Sequence, residues 1–172
     1  MEKELKHKAH TDRSDLVGEH VWGDAGQIIL FVIFLIVWIG DSFILKYSMW
    51  LSGYLSIYVR LPIALVILFG SACFARSGLR IIFGEIREQP LVIRQGVFNR
   101  VRHSIYFGSL LFYLGLIVLS LSVFSIIIWL GIIAFYHSIS RYEEKLLVDK
   151  FGAEYKKYKS EVPMWIPRLK LR

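Results

Sequence analysis

The chain has 172 residues, enough for one domain, which excludes separate cofactor and substrate modules. Hydrophobic residues make up 55% of it and aromatics 15%, with a mean hydropathy of +0.51, more apolar surface than a soluble fold of this size encloses. Disorder and a disulfide-rich scaffold are both excluded, because the only cysteine, Cys73, lies in an apolar run and forms neither a disulfide framework nor a cysteine metal cluster. The 21 Lys and Arg against 14 Asp and Glu give a net charge of +7. Such a balance suits nucleic acid or a membrane surface, and position along the chain decides between them.

Residues 1–26 carry four basic and six acidic groups and read as a polar tail. Across residues 27–44 the only ionisable group is Asp41, and about 18 to 20 apolar residues at 1.5 Å each cross a hydrocarbon core of roughly 30 Å. This predicts a first membrane helix, too long for a signal peptide and without a small-residue cleavage site after it. A second span is expected over residues 57–75, with Arg60 snorkelling at its entrance and Pro62 in its first turns. Third and fourth spans are expected over residues 105–121 and 123–140. Only residues 120–125 separate their apolar bodies, so the two form an antiparallel hairpin with an uncharged turn.

Charge between the spans orients them. Residues 76–103 hold six basic and two acidic groups and residues 141–172 nine and five, whereas the opposite side shows only Asp41, Lys46 and Arg60. By the positive-inside rule both termini face the cytoplasm, and the excess charge reads as topology and attraction to anionic lipid rather than as nucleic-acid binding. The expected fold is an all-α integral membrane protein of about four transmembrane helices, including the C-terminal hairpin, followed by a cytoplasmic amphipathic helix. Residues 27–172 form its single domain.

Two cytoplasmic segments are richer in polar chemistry than anchoring requires. In residues 89–108, Gly96 makes a turn and Ser104 reads as the N-cap of the third span. His103 and Tyr106 then lie within one turn of a helix start whose free amides favour an anionic group. The plainer alternative is headgroup anchoring by Arg100, Arg102 and His103, with Tyr106 in an aromatic belt. In residues 141–158, Leu147, Phe151, Tyr155 and Tyr158 recur at helical spacing, giving a face that lies on the membrane or on the loop before the third span. Gly152 threatens to break that helix. Glu143 and Glu144 emerge where the fourth span leaves the bilayer and invite a cationic ligand or an arginine partner, or simply pair with Arg141 and Lys145.

The hairpin returns the chain to the same membrane face, so His103 and Tyr106 are expected near Glu143. A zwitterionic sulfonium such as S-adenosylmethionine suits that set: amides or an imidazole for its carboxylate, a carboxylate for its ammonium, and apolar or aromatic walls for the rest. Spacing alone does not single out that ligand.

At these residues the chain resembles the integral-membrane methyltransferases that include isoprenylcysteine carboxyl methyltransferase and the phospholipid N-methyltransferases. Their pattern is a Gly-Val/Ile-Tyr/Phe turn, then Arg-His-Pro-x-Tyr-x-Gly, a hairpin, Glu-Glu-x-x-Leu, Phe-Gly-x-x-Tyr-x-x-Tyr, and a Val-Pro then Ile-Pro tail. The chain supplies Gly96-Val97-Phe98, then Arg102-His103-Ser104-Ile105-Tyr106-Phe107-Gly108. After the hairpin come Glu143-Glu144 with Leu146-Leu147, Phe151-Gly152 with Tyr155 and Tyr158, Val162-Pro163, and Ile166-Pro167. The resemblance covers roughly the C-terminal half. It implies a cytoplasm-facing S-adenosylmethionine site built from residues 89–108 and 141–167, lined by Val92, Ile93, Phe98, Ser104 and Ile105. His103 and Tyr106 would contact the cofactor and Glu143 its amino group.

Two departures stand out. Ser104 replaces the usual proline, and both residue types favour starting a helix. The arginine that handles the substrate carboxylate in isoprenylcysteine members falls here on Ile139, leaving Arg141 as the nearest arginine. The expected reaction is methyl transfer, without metal, to a lipid or lipidated amphiphile entering from the bilayer. Arg141 would position a carboxylate acceptor, or Glu144 would act as base for an amine. Two alternatives are an NADPH-dependent membrane reductase of the sterol-reductase type, which has a similar Arg-His-Pro-x-Tyr-x-Gly element, and a non-enzymatic lipid-binding adaptor.

Overall fold

The computed structural model describes residues 23–84 and 90–167. Most of the tail expected over residues 1–26, together with Gln89, lies outside the described residues. The elements are all helical: α1 (Gly23–Ile39), α2 (Ile57–Phe83), α3 (Ser104–Ser120), α4 (Val123–Phe151) and α5 (Ala153–Glu161). Three stretches are long and apolar enough to cross a membrane: Ala25–Leu45, Ile57–Phe83 and Val123–Phe151. The 17 residues of α3 are equally apolar but span only about 26 Å.

Small residues set the tightest packing in the molecule. Ala64, Ser71 and Gly78 recur at seven-residue spacing along α2, and Gly108 and Gly115 do so along α3, so each set keeps to one helix face. The two helices run antiparallel and nearly touch. A Cβ on Gly108 would sit 2.9 Å from the Ala75 amide nitrogen and 3.1 Å from the Ser71 carbonyl oxygen. The Ser71 hydroxyl donates to the Gly108 carbonyl at 2.7 Å. At the far end of this pair the Arg60 guanidinium donates to the Leu119 carbonyl at 2.8 Å. Arg60 is therefore buried on a helix C-terminus, where the dipole favours a cation, and does not snorkel.

The connection between α3 and α4 is two residues long. Leu121 turns left-handed (φ 57°) and closes α3 with a bond to Ile117. Ser122 caps α4, its Oγ accepting from the Ser125 amide at 3.2 Å. α1 packs on both hairpin helices around a core of Phe34, Leu110, Tyr113, Ile117, Ile132 and Tyr136. The end of its span is fixed to the hairpin turn. Beyond Ile39 the helix widens into a π-helical stretch, Gly40–Leu45, whose buried Asp41 accepts from the Ser48 amide (3.0 Å), the Ser48 hydroxyl and the Ser122 hydroxyl (2.6 Å). The apolar side chains left exposed on α1 and α2, such as Ile28, Ile36, Val66 and Phe69, form the lipid-facing surface of a membrane-spanning chain.

Two helices run further than expected. α2 continues two turns past residue 75, and α4 carries through residue 140 to Phe151 before Gly152, at φ 55°, breaks the chain into α5. The continuous amphipathic helix is thus two helices with one shared face. Leu147 and Phe151 pack with Tyr155 and Tyr158 against Val92, so this face lies on the loop before α3.

Candidate functional site

Antiparallel return of the hairpin brings the start of α3 against the far part of α4. His103 is the N-cap residue of α3, and Ser104 occupies the first helical position, the one at which proline fits best. The anticipated serine cap is therefore not formed. The Ser104 hydroxyl is buried without a partner among the described residues, facing Gly78 of α2 alongside Ile105. Nor are the amides just ahead of the helix free for an anion: Arg102 N–H donates to the Pro163 carbonyl at 3.0 Å and His103 N–H to the Met164 carbonyl at 3.1 Å. The C-terminal segment thereby straps across the helix start.

Around His103 four side chains converge. Its Nδ1 lies 3.5 Å from Glu143 Oε2 and its Nε2 3.4 Å from Glu144 Oε1. Tyr106 donates its hydroxyl to Glu143 Oε1 at 2.5 Å. The ring of Tyr106 stacks parallel to His103 (centroids 5.7 Å, 2°) on one side and to Tyr136 of α4 (5.1 Å, 11°) on the other. Three rings thus form a column with a carboxylate at its edge. Burial pushes the His103 imidazole below its ordinary proton affinity. Glu144 pulls the other way, and the nearby charges of Arg102 and Lys159 add to the lowering.

Glu144 is the most enclosed charge in the site, its side chain 0% exposed. Arg102 Nε and Nη2 meet its Oε1 at 2.8 and 2.7 Å, and Lys159 Nζ lies 2.8 Å from its Oε2. Arg102 also donates through Nη1 to the carbonyls of Lys159 (2.8 Å) and Val162. Of the partners weighed for the two glutamates, the arginine is Arg102; Arg141 and Lys145 are exposed on α4. Glu144 is thus fully enclosed between two cations, a setting that suits an ion-pair anchor better than a base meeting a substrate.

The remaining anticipated residues divide into two groups. Phe98 and Val92 are buried: Tyr158 donates its hydroxyl to the Phe98 carbonyl at 2.6 Å, and Val92 packs in the α4–α5 cluster. Ile93 is half-buried beside them, whereas Ser104 and Ile105 turn their side chains to α2. Ile139 is buried in α4. Sequence reasoning missed Tyr136, the base of the ring column, and the cation pair of Arg102 and Lys159. The signal for Arg102 was its place beside His103, which carries it to the same membrane face as Glu144. Among the described residues no cluster of three His, Cys, Asp or Glu side chains is placed to hold a metal ion.

The chain is similar in sequence to known membrane methyltransferases. The family model described as phospholipid methyltransferase matches residues 63–154, more than half of the chain and all of the hairpin. The chain belongs to this family of membrane methyltransferases. It is also similar to the protein-S-isoprenylcysteine O-methyltransferase of Saccharomyces cerevisiae, 33% identical over 78 residues, covering 45% of this chain and 33% of that protein. The matched region is thus about a third of the length of that curated relative. No solved structure matches the chain significantly.

Proposed function

We propose that the chain binds S-adenosylmethionine at the cytoplasmic face and transfers its methyl group to a membrane-embedded amphiphile, an isoprenylcysteine-type carboxylate or a phospholipid amine. The observation that carries this reading is the column of His103, Tyr106 and Tyr136 with the Glu143 carboxylate at its edge. The residues fit the cofactor. His103 Nε2 is buried 3.4 Å from Glu144 Oε1 without a well-formed hydrogen bond among the described residues, and it suits a carboxylate or ribose hydroxyl. Glu143, 12% exposed and held by Tyr106 and His103, is the more accessible of the two carboxylates and suits an ammonium group. Stacked aromatic faces favour a sulfonium. On the family resemblance the backbone at Val92 and Ile93, together with Phe98, would line the rest of the pocket, while Ser104 and Ile105, whose side chains turn to α2, would contribute backbone alone.

When bound, the cofactor supplies an electrophilic methyl carbon. The chain's own task is to orient donor and acceptor and to exclude water, effects that contribute roughly 7 to 11 kcal/mol in favourable cases. Arg141, exposed where α4 leaves the apolar span, stands where an anionic headgroup would arrive. Glu144 acts as a positioning residue, holding Arg102 and through it the strap over His103.

The test is titration calorimetry with purified protein, followed by incubation with radiolabelled S-adenosylmethionine and a total lipid extract. The expected result is saturable cofactor binding that His103→Ala and Glu143→Gln each weaken at least tenfold, with label transferred to a lipid. Binding of NADPH in place of S-adenosylmethionine, or of neither, overturns the proposal.

A further inference from the structure

The strap that crosses the start of α3 places a side chain that the cofactor reading leaves unused. Residues 163 and 164 are fixed by backbone bonds to Arg102 and His103, so Trp165 is held one residue beyond an anchored point. Its ring packs against the core cluster that contains Tyr136, and its indole meets the His137 ring edge-on at 5.9 Å and 80°. The indole N–H is buried and finds no acceptor among the described residues. A buried tryptophan donor normally has a partner, because leaving it unmade costs the full desolvation of the group.

His137 is anomalous in its own right. Apart from the Tyr136 phenol it is the only ionisable side chain between Val123 and Ser140, and it is exposed on the outer face of an otherwise apolar helix. An ionisable group on a membrane-spanning surface is expensive to place and marks a functional position by default. Arg141 follows one turn later on the same face and is also exposed. An unpaired donor, an imidazole and a guanidinium therefore line one flank of α4. Through Trp165 this flank adjoins the cluster that contains Tyr136, and its His137 and Arg141 are exposed.

We propose that Trp165 and His137 form the acceptor subsite, in which the indole N–H and the imidazole hold an anionic oxygen of the amphiphile, a carboxylate or a phosphate, with Arg141 at its outer edge. This deepens the methyl-transfer reading and rests on it for the identity of the bound amphiphile as acceptor. The subsite itself requires only that such an oxygen binds.

The test uses the full chain with 15N-labelled tryptophan in dodecylmaltoside micelles, its Trp165 indole signal assigned by its loss in Trp165→Phe. Dodecyl phosphate, dodecanoate and uncharged dodecanol are titrated in separate arms. The Trp165 N–H resonance is expected to move downfield saturably with one or both anions and not with dodecanol, the tighter anion identifying phosphate or carboxylate as the source. In His137→Phe the apparent dissociation constant for that anion is expected to rise roughly five- to tenfold. No saturable shift with either anion, or the same shift with dodecanol, overturns the proposal. S-adenosylmethionine affinity is measured on the same samples: its absence in the parent overturns the methyl-transfer reading while leaving the anion result to stand or fall alone.

Discussion

The Arg102 guanidinium and the Glu144 carboxylate meet at 2.7 Å across 42 residues of chain, with side chains 7% and 0% exposed. Their contact joins the start of α3 to α4, and the remaining donors of Arg102 reach the carbonyls of Lys159 and Val162. Breaking such a pair from one side leaves a buried charge short of a partner. Arg102→Met is therefore expected to destabilise the protein by about 3–5 kcal/mol, whereas Arg102→Met with Glu144→Met recovers much of that loss. Unfolding midpoints of both variants in detergent measure the difference. A loss below about 1 kcal/mol in the single variant would show that the pair is not what holds the strap.

Tyr106 separates its two roles cleanly under a conservative change. Tyr106→Phe keeps the stack between His103 and Tyr136 but removes the 2.5 Å bond to Glu143. Stability is expected to change by less than about 1.5 kcal/mol. On the proposed reading, affinity for S-adenosylmethionine falls by roughly a factor of ten, because Glu143 loses the bond that orients it. Calorimetric titration of parent and variant reads this directly, and unchanged affinity would remove Tyr106 from the cofactor's surroundings.

Acid sensitivity follows from His103. Burial lowers its proton affinity in the folded protein below the ordinary value of about 6.5 that applies on unfolding. Between the two values the unfolded chain binds more protons, so stability is fully present above about pH 6.5 and declines as pH falls through the lowered folded value. His103→Asn is expected to flatten this part of the curve. Unfolding midpoints between pH 5 and 8 test it, and equal slopes in the parent and His103→Asn would contradict it.

Much of this arrangement was legible in the sequence, for physical reasons particular to each element. The apolar lengths and the two-residue turn after Ser120 dictated the hairpin, and the hairpin dictated that His103 and Glu143 share an end. Gly152 announced the break between α4 and α5 because a positive φ is what the chain requires there. The Ser104 cap was not legible as observed: the strap from Pro163 and Met164 takes the neighbouring amides, and no local pattern announces a contact about 60 residues away. The environment of Asp41 was hidden likewise, since Ser48 and Ser122 converge on it only after α1 packs against the hairpin.

The α2–α3 contact should distinguish glycines by what surrounds them. At Gly108 an added Cβ meets backbone of α2 at 2.9 and 3.1 Å, atoms that cannot rotate away, so Gly108→Ala is expected to cost about 1–3 kcal/mol. At Gly131 in α4 nothing lies within 4 Å, and Gly131→Ala is expected to be neutral or to stabilise by up to about 1 kcal/mol through helix propensity. Opposite signs in thermal unfolding would support close backbone packing, and equal effects would not.

Ser122 offers the sharpest measure of how the far end of the bundle is held. Its hydroxyl caps α4 through the Ser125 amide and at the same time donates to Asp41 at 2.6 Å, so one atom serves a helix terminus and a buried carboxylate. Ser56 caps α2 with a weaker 3.4 Å contact to Tyr58 and is exposed. Loss of an exposed cap costs about 0.5–1 kcal/mol, and loss of a bond to a buried charge adds about 1.5–3 kcal/mol. Ser122→Ala is therefore expected to destabilise by about 2–4 kcal/mol and Ser56→Ala by under about 1 kcal/mol. With Asp41→Asn in the background the cost of Ser122→Ala should shrink toward that of the cap alone, because the charge that strengthened its second bond is gone. A double-mutant cycle by detergent unfolding measures that coupling, and a coupling near zero would mean that Asp41 is held by Ser48 and its loop rather than by the hairpin turn.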